Sequence, residues 1–409
     1  MFLVGYLHAL GQIAYWRLDT PLRRRNKDAG VVVMTEVLVV VTSSFPMRRD
    51  GSEAAGSFVA DMVDELARHV EVRVVAPGER NAEETWGDRV SVYRYASPSQ
   101  PLSTLKPWRI DDLLWIMRIM RGGLAATRLA TSYDTNHILA LWGLPCGEWA
   151  RRIAHECGID YSAWMLGSDV WSLGRIPIVR GFLARVIRNA ARAYADGYLL
   201  ADDARRISGV PVNFLPSARR IGLGEHTLPR MAPPYRLLFL GRWHPNKGVD
   251  LLLDALDQLT DADWGLIECV DIQGGGPMEE LVRSRVSALQ KLDRSVRDGS
   301  FLDKSQAEEA IARADWVIIP SRIESIPVMF SDAMKLGRPV VVTPVGDLPR
   351  LVADSPCGIA ASEVSGVAIG QALRLALSTN PRFFEAGICQ YAARFDLAQI
   401  ARDIVGTLQ

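Results

Sequence analysis

Residues 37–77 read VLVVVTSSFPMRRDGSEAAGSFVADMVDELARHVEVRVVAP and contain the pattern that decides the fold. The run Val37–Thr42 is short, β-branched and apolar throughout, as expected for a parallel strand that is buried on both faces. A glycine-containing loop follows, apolar residues then recur at helical spacing from Phe58, and Val70–Val75 returns to strand character. This β-loop-α-β unit predicts the first part of a doubly wound parallel sheet.

The alternation of strands and helices continues to about residue 200. The elements expected there are strands at 137–142, 161–165 and 197–200 and helices at 148–156 and 179–195. A second series begins at Arg236–Leu240 and continues beyond Pro339–Thr343. Between the two series lies Gly222–Tyr235, which is rich in Gly and Pro and is therefore predicted to be the interdomain linker.

These patterns predict an α/β protein with two Rossmann-like, doubly wound parallel-sheet domains that face a cleft. The predicted boundaries are residues 34–225 for the first domain and 226–390 for the second. We expect a C-terminal helix within 391–409 to pack back toward the first domain. Residues 1–33 are predicted to be an N-terminal extension, because their apolar stretch is too short to span a bilayer and a second methionine, Met34, precedes the first strand. Two interpretations of this extension remain open, a start-site artefact and a surface anchor.

Composition excludes several classes of protein. A length of 409 residues suits two domains, and 48% hydrophobic with 23% charged residues describes a folded soluble chain. The 47 basic and 47 acidic side chains cancel, so no overall field would attract nucleic acid. The five cysteines are scattered without CxxC spacing, which argues against a disulfide framework or a zinc site, and no metal site is predicted.

Three loops after predicted strands of the second domain carry residues suited to one ligand-binding site. The first, GRWHPNKG, places Arg242 and Lys247 on one turn, and such a pair of cations suits a diphosphate. Alone, such a pair is more often simply solvated. The second loop is the run Gly274–Gly276, whose lack of side chains allows backbone to approach a ligand, with Gly274 and Gly276 as the candidate contacts.

The third loop leads into a helix that starts at Pro327, where proline is well tolerated. The N–H groups of Val328 and Met329 would then favour an anion such as a pyrophosphate. Glu324 precedes this helix and Asp332 lies about one turn inside it. Carboxylates accept hydrogen bonds from hydroxyl groups, so this pair suits the hydroxyls of a sugar and a ribose.

The motifs GRWHPNKG, GGGP and ESIPVMFSDAMKLGRPVVVTPVGDLPRLV resemble the donor domain of retaining glycosyltransferases of family 4, the glycosyl transferases group 1, which have the GT-B fold. The family signature is two glutamates separated by seven residues; here Glu324 matches the first, and Asp332 replaces the second with a shorter side chain. The resemblance implies that Arg242 and Lys247 bind the donor diphosphate, Glu324 contacts the transferred sugar, and Asp332 binds ribose hydroxyls.

The first domain is similar to the same family in three segments, 37–77, HILALWGLPCG and GSDVW. The resemblance implies that Gly56 lets backbone approach the donor. Leu166 stands where the family often has a histidine that touches the transferred sugar, so Asp169 becomes the nearby polar candidate for a catalytic role, with a structural cap as the alternative. Asp347 and Arg350 also depart from the family pattern of Gly-Gly and Glu.

The resemblance implies a metal-independent, retaining hexosyl transfer from a UDP or GDP sugar, without a separate cofactor. The expected acceptor is a glycan or a lipid-linked molecule in polysaccharide biosynthesis, and the expected location is the cytoplasm. Two alternatives remain open: a nucleotide-sugar epimerase of the same fold, and a non-catalytic glycosyltransferase-like binding protein. Product formation from the donor alone would distinguish the epimerase from a transferase.

Two segments suggest peripheral contact with an anionic membrane on its inner face. Gly174–Ala195 contains five arginines and no acidic residue among apolar side chains, and Lys106–Arg128 contains tryptophan and arginine. Basic amphipathic segments of this kind bind anionic lipid. The alternative is that the apolar face of the first segment belongs to the domain core and its arginines are only solvated.

Overall fold

The computed structural model describes residues 36–408, except 51–52, 54–55, 99–104, 107, 223 and 225–226. The predicted extension at residues 1–33 lies outside this described part. Within it, each helix is either too short or too polar to cross a bilayer. The described chain forms two α/β domains, as the alternation of strands and helices predicts.

The strands of the first domain are β1 (Val37–Val41), β2 (Glu71–Gly78), β3 (Ala82–Gly87), β4 (Val90–Ala96), β5 (Thr135–Leu141), β6 (Asp160–Met165), β7 (Arg192–Ala195) and β8 (Asn213–Phe214). They form one sheet in the order β3-β4-β2-β1-β5-β6-β7-β8. Neighbouring strands run parallel except for β3 and β4.

The helices of the first domain are α1 (Ser57–Leu66), α2 (Ile110–Ala130), α3 (Cys146–Cys157), α4 (Ser168–Trp171), α5 (Pro177–Asn189) and α6 (Tyr198–Ser208), with a 3₁₀ turn at Leu173–Arg175. All five residues of β1 are buried. Leu38 and Val40 pack into one apolar core and Val39 and Val41 into another, because alternate side chains of a strand point to opposite faces. The central strand is therefore apolar throughout.

The strands of the second domain are β9 (Tyr235–Arg242), β10 (Ile267–Gly275), β11 (Val296–Gly299), β12 (Trp316–Ile319), β13 (Val340–Val342) and β14 (Gly358–Ala360). They form a sheet in the order β11-β10-β9-β12-β13-β14, and all neighbouring strands run parallel. Its central strand, β9, ends at Arg242, so a predicted ligand-binding residue emerges from the middle of the sheet.

The helices that follow are α7 (Val249–Leu256), α8 (Asp261–Trp264), α9 (Glu279–Gln290), α10 (Lys304–Arg313), α11 (Val328–Lys335), α12 (Leu348–Asp354), α13 (Gly366–Leu377), α14 (Glu385–Arg394) and α15 (Leu397–Val405), with 3₁₀ turns at Pro245–Lys247 and Pro381–Phe384. α14 packs on α11, where Phe330 contacts Tyr391 and Phe395. α15 packs against α1 of the first domain, so the chain ends on the domain in which it began.

The prediction of a helix over 179–195 and a strand over 197–200 is wrong. α5 ends at Asn189, β7 follows at Arg192–Ala195, and α6 begins at Tyr198. β7 pairs with β6, and the Ala191 N–H donates to the Tyr161 carbonyl at 2.9 Å. A short apolar run fits a helix or a strand equally well, and the contact with β6, which is distant in sequence, decides between them.

Candidate functional site

Three loops of the second domain meet at the carboxyl edge of its sheet. They follow β9, β10 and β12, which are neighbours in the sheet, and ligands of α/β proteins bind at this edge. The Arg322 N–H donates to the Asn246 carbonyl at 2.8 Å, which joins the loops after β9 and β12. A Cβ at Gly248 would lie 1.8 Å from the Pro320 carbonyl oxygen, so only glycine allows this approach.

Lys247 and Glu324 form an ion pair between these two loops, through Nζ and Oε1. The Ser321 hydroxyl donates to the same Oε1 at 3.1 Å. Both charged side chains keep contact with solvent, since Lys247 is 38% and Glu324 13% exposed. A lysine ammonium has three N–H donors, so the pairing leaves donors for an anion. The structure thus brings together two residues that the sequence predicted for separate parts of the donor.

Arg242, at the end of β9, is exposed, and its guanidinium forms no ion pair with any residue that the structure describes. Arg322, in the loop after β12, is instead held by Asp250 at 2.8 and 2.6 Å. Arg322 is therefore committed to the fold, because a bidentate pair uses both arms of the guanidinium. Arg242 keeps its donors available for a ligand.

The helix α11 begins beside the Lys247–Glu324 pair. Its N-cap is Pro327, which provides no side-chain hydrogen bond, and Val328 and Met329 are partly exposed. The first N–H groups of a helix have no partner within the helix, and its positive end favours an anion. The structure therefore places this helix start where the sequence predicted it, next to a carboxylate and a cation.

Asp332 lies deeper than the other predicted donor residues. It is 1% exposed, and its Oδ2 accepts a hydrogen bond from Arg219 Nε at 2.9 Å and a second from Nη2 of the same side chain. Its Oδ1 is buried and has no hydrogen-bond partner among the described residues. In the carboxylate predicted to bind ribose, one oxygen is thus bonded to a protein side chain and the other has no described hydrogen-bond partner.

The glycines predicted to approach the donor also make close contacts within the protein. A Cβ at Gly274 would lie 1.9 Å from the Gly241 carbonyl oxygen, and one at Gly276 would lie 2.8 Å from that of Trp243. At Gly56, with φ of 76°, a Cβ would lie 2.7 Å from the backbone of Phe45. Chain packing and positive φ therefore explain these glycines without a ligand, although all three stand at the predicted edges.

Asp169 of the first domain is fully buried. Its Oδ2 accepts the Gly143 N–H at 2.6 Å and its Oδ1 accepts the Val170 N–H at 3.1 Å. Burial raises the pKa of Asp169, and these backbone N–H groups oppose the increase. Both oxygens are engaged by the backbone, which favours the structural alternative for Asp169. Leu166 packs against the apolar core.

Asp347 bridges the two domains. Its Oδ1 and Oδ2 accept the Leu199 N–H at 3.1 and 3.4 Å, in the first turn of α6. The N-cap of α6 is Gly197, which has no capping side chain, and a Cβ there would lie 2.5 Å from Asp347 Oδ2 and 2.1 Å from Ser325 Oγ. A carboxylate of the second domain therefore caps a helix of the first.

Asp196 is buried at the carboxyl end of β7. Burial, together with the carboxylates of Asp169, Glu324 and Asp347, raises the pKa of Asp196 to about 8, and the Ser325 hydroxyl opposes the increase. Asp196 Oδ1 has no hydrogen-bond partner among the described residues. No group of three or more His, Cys, Asp and Glu side chains in the described part of the chain is arranged to hold a metal ion.

Comparison with known proteins shows what the second domain resembles. Residues 234–378 match the family model of the glycosyl transferases group 1. The second domain is therefore similar to the glycosyl transferases group 1. The chain is 26% identical over 303 residues to the phosphatidyl-myo-inositol mannosyltransferase of Mycobacterium leprae, with 71% of this chain and 68% of that protein covered. It is also 25% identical over 295 residues to a glycogen synthase of Thermus thermophilus, but the match covers 59% of this chain and only 65% of the synthase.

Solved structures show that the fold of this chain is GT-B. The sucrose-phosphate synthase of Thermosynechococcus elongatus superposes with a TM-score of 0.68 at 16% identity, covering 91% of this chain and 98% of that one. The HepE protein of Anabaena, solved with UDP and glucose, gives a TM-score of 0.65 at 15% identity, covering 91% and 99%. At these identities the likeness establishes the architecture only.

Sequence reasoning missed three contributors to the site. Ser321 lies in the third loop, three residues before Glu324, and a hydroxyl so close to a candidate carboxylate is a signal that the sequence offers. Asp347 was noticed only as a departure from the family pattern. Arg219 contacts Asp332 across 113 positions, and nothing in its local sequence indicates that contact.

Proposed function

We propose that this protein transfers a hexosyl or related glycosyl group from a nucleotide diphosphate sugar to an acceptor hydroxyl, with retention of configuration and without a metal ion. The observation that carries the proposal is the Lys247–Glu324 pair, which joins the loop that follows Arg242 to the loop that leads into α11. Cations and a helix N-terminus suit the diphosphate, and a carboxylate suits a sugar hydroxyl. The match to the family model includes all of these residues.

The resemblance to retaining glycosyltransferases supports the following course of reaction, and the charges of this arrangement fit it. The bond between the anomeric carbon and the phosphate oxygen breaks, and the acceptor oxygen attacks the same face of the sugar. The departing phosphate oxygen takes the proton of the acceptor hydroxyl, so no protein nucleophile is required. Arg242, Lys247 and the start of α11 stabilise the negative charge that develops on the diphosphate, which is the main electrostatic requirement of the step.

The donor is proposed to be of the UDP or GDP type. Support comes from a structural neighbour that was solved with UDP and glucose and from relatives named as a glycogen synthase and a phosphatidyl-myo-inositol mannosyltransferase. These relatives also suggest the two acceptor classes that we propose, a glycan and a lipid-linked molecule, for a reaction of polysaccharide synthesis in the cytoplasm.

For a lipid-linked acceptor we propose that the first domain contacts the inner face of an anionic membrane. α5 does not provide an apolar surface for this contact, because Val179, Leu183 and Val186 are buried in the domain. The beginning of α2 does, since Trp108 and Ile110 are 68% and 77% exposed. An exposed tryptophan beside apolar and basic side chains suits the interface of a bilayer.

Vesicle co-sedimentation tests the membrane proposal. Binding to anionic but not to neutral vesicles should decrease in the double variant Trp108→Ser with Ile110→Ser and persist in Leu129→Ser, at the other end of α2. Leu129 is 73% exposed, so this variant removes a comparable apolar side chain. Absence of the intact protein from the pellet at every lipid composition would contradict the proposal.

The proposed transfer is tested by incubating the purified protein with a library of nucleotide sugars, with and without a panel of glycan and lipid-linked acceptors. Mass spectrometry should show a product heavier than the acceptor by one glycosyl residue, and only when both substrates are present. A changed sugar from the donor alone would indicate an epimerase. Nucleotide binding without any product across the panel would indicate a binding protein.

A further inference from the structure

Arg219 lies on the segment that crosses from the first domain to the second, between β8 and β9. Its side chain is 14% exposed and makes two hydrogen bonds, from Nε and Nη2, to a single oxygen of Asp332, Oδ2. Its backbone is held as well, because Lys335 Nζ donates to the Arg219 carbonyl at 2.7 Å. Since Asp332 and Lys335 both lie on α11, the crossing segment is attached to this helix at two points.

The two oxygens of the Asp332 carboxylate therefore have different environments. Oδ2 receives two N–H groups, whereas Oδ1 is buried without a hydrogen-bond partner among the described residues. A buried polar atom that lacks a partner is unfavourable and requires an explanation. Asp332 lies one turn into α11, whose first residues face the proposed donor site, and a hydroxyl of a bound molecule would satisfy Oδ1.

We propose that Arg219 is a positioning residue for the donor ribose: it anchors Asp332 through Oδ2 and leaves Oδ1 to accept a hydrogen bond from a ribose hydroxyl. This inference rests on the proposed function, because it requires a nucleotide donor. An aspartate has one methylene fewer than the glutamate of the family pattern, and its carboxylate torsion is broad. A guanidinium fork fixes that torsion, and a group fixed before binding loses less freedom when the ligand arrives.

The adjacent residue, Arg220, provides a matched control. The Arg220 side chain donates from Nη2 to Glu65 Oε2 at 2.6 Å. The backbone N–H of Arg220 donates to Asp61 Oδ2 at 2.9 Å. Both acceptors lie on α1 of the first domain. Arg220→Gln therefore removes an ion pair of the same kind from the same segment without a change at Asp332.

The experiment measures binding by calorimetry for UDP, GDP and the 2′-deoxy and 3′-deoxy forms of whichever binds more tightly. In the parent, the ribonucleotide should bind at least about 10-fold more tightly than one of the deoxy forms, the ratio expected for a hydrogen bond to a charged group. Arg219→Gln should reduce this ratio to about 2-fold or less, Arg219→Lys should give an intermediate ratio, and Arg220→Gln should keep the ratio of the parent.

If Arg219→Gln keeps the parent's ratio of ribonucleotide affinity to deoxynucleotide affinity, the proposal is overturned, because Arg219 would then only stabilise the fold. Equal binding of the ribo and deoxy forms by the parent would overturn it as well, while glycosyl transfer by the same preparation would show that the proposed function still holds. Circular dichroism establishes whether each variant is folded. If Arg219→Gln does not fold, Arg219→Lys decides, and a ratio equal to that of the parent overturns the proposal.

Discussion

The two domains have the same type of parallel sheet but use polar residues at its carboxyl edge in different ways. In the second domain, Arg242 is exposed and free, and Lys247 and Glu324 keep contact with solvent. In the first domain, Asp169 and Asp196 are buried. The two Asp169 oxygens accept backbone N–H groups, and burial raises the pKa of Asp196 to about 8.

This difference separates residues that hold the site together from residues that are placed to contact the donor. A buried carboxylate that caps backbone contributes to stability, and replacing it should unfold the protein before it changes the chemistry. An exposed charge at a loop contributes little to stability and is available to a ligand. Variants of Asp169 and Asp196 should therefore affect different measurements from variants of Arg242, Lys247 and Glu324. Each prediction below tests that difference.

The largest effect is expected from Glu324→Gln, which keeps the size of the side chain but removes the charge that pairs with Lys247. Loss of one electrostatic contact that is strongest in the transition state should lower kcat on the order of 100-fold, with little change in nucleotide affinity. Steady-state kinetics with the donor and acceptor measures the effect. Glu363→Gln, at an exposed position, is the control, and full activity of Glu324→Gln would contradict the assignment.

Arg242→Ala and Lys247→Ala should each weaken binding of the nucleoside diphosphate by about 1.5–3 kcal/mol, because each removes a charge-assisted contact. Calorimetry with UDP and GDP measures this loss, and thermal unfolding should be almost unchanged. Arg313→Ala and Lys291→Ala remove exposed cations elsewhere in the same domain and should bind like the parent. Unchanged affinity in both site variants would show that the diphosphate binds elsewhere.

Asp169→Asn should lower the free energy of unfolding by about 1–3 kcal/mol, because the amide group of Asn cannot accept the N–H groups of both Gly143 and Val170. Urea unfolding measures the loss, with the exposed neighbour Ser168→Ala as the control. The kcat of the folded variant should stay close to that of the parent. A large fall in kcat with unchanged stability would instead make Asp169 a residue that acts on the sugar.

Asp196→Asn should alter the pH dependence of stability. The folded pKa of Asp196, about 8, lies above the ordinary value for Asp, so the folded state keeps a proton that the unfolded state has lost. The stabilising contribution of Asp196 is present at low pH and is lost as pH rises through about 8, by at most about 1.4 kcal/mol per pH unit. The free energy of unfolding, measured with urea between about pH 5 and 8, should depend less steeply on pH in Asp196→Asn than in the parent. Asp202→Asn should keep the pH dependence of the parent.

Both domains and the strands at the centre of each sheet could be predicted from the sequence, because buried parallel strands are short continuous apolar runs. The strands β3, β4, β8, β11 and β14 have no counterpart among the predicted strands. The segment 179–200 could not be predicted either, since β7 exists through its pairing with β6. The apolar spacing continues from α5 into β7 without a local signal of the boundary. Local periodicity therefore predicts a strand where loops separate its apolar run from neighbouring elements, and it fails where a helix and a strand adjoin.

The candidate site was predicted as three separate loops, and the order of β10, β9 and β12 in the sheet brings them together. The Lys247–Glu324 pair follows from that order. The engagement of Asp332 by Arg219 could not be predicted, because it depends on how the crossing segment returns over α11. The role of Asp169 could be stated only as two alternatives, since burial depends on the packing of the whole domain.

The cap that Asp347 places on α6 makes one backbone amide a reporter of domain movement. The Leu199 N–H belongs to the first domain and its acceptor belongs to the second, so separation of the domains transfers this hydrogen bond to water. Amide hydrogen exchange at Leu199 therefore measures how often the cleft opens. The Ala201 N–H, which donates within the first domain to the Gly197 carbonyl at 2.9 Å, provides the internal reference.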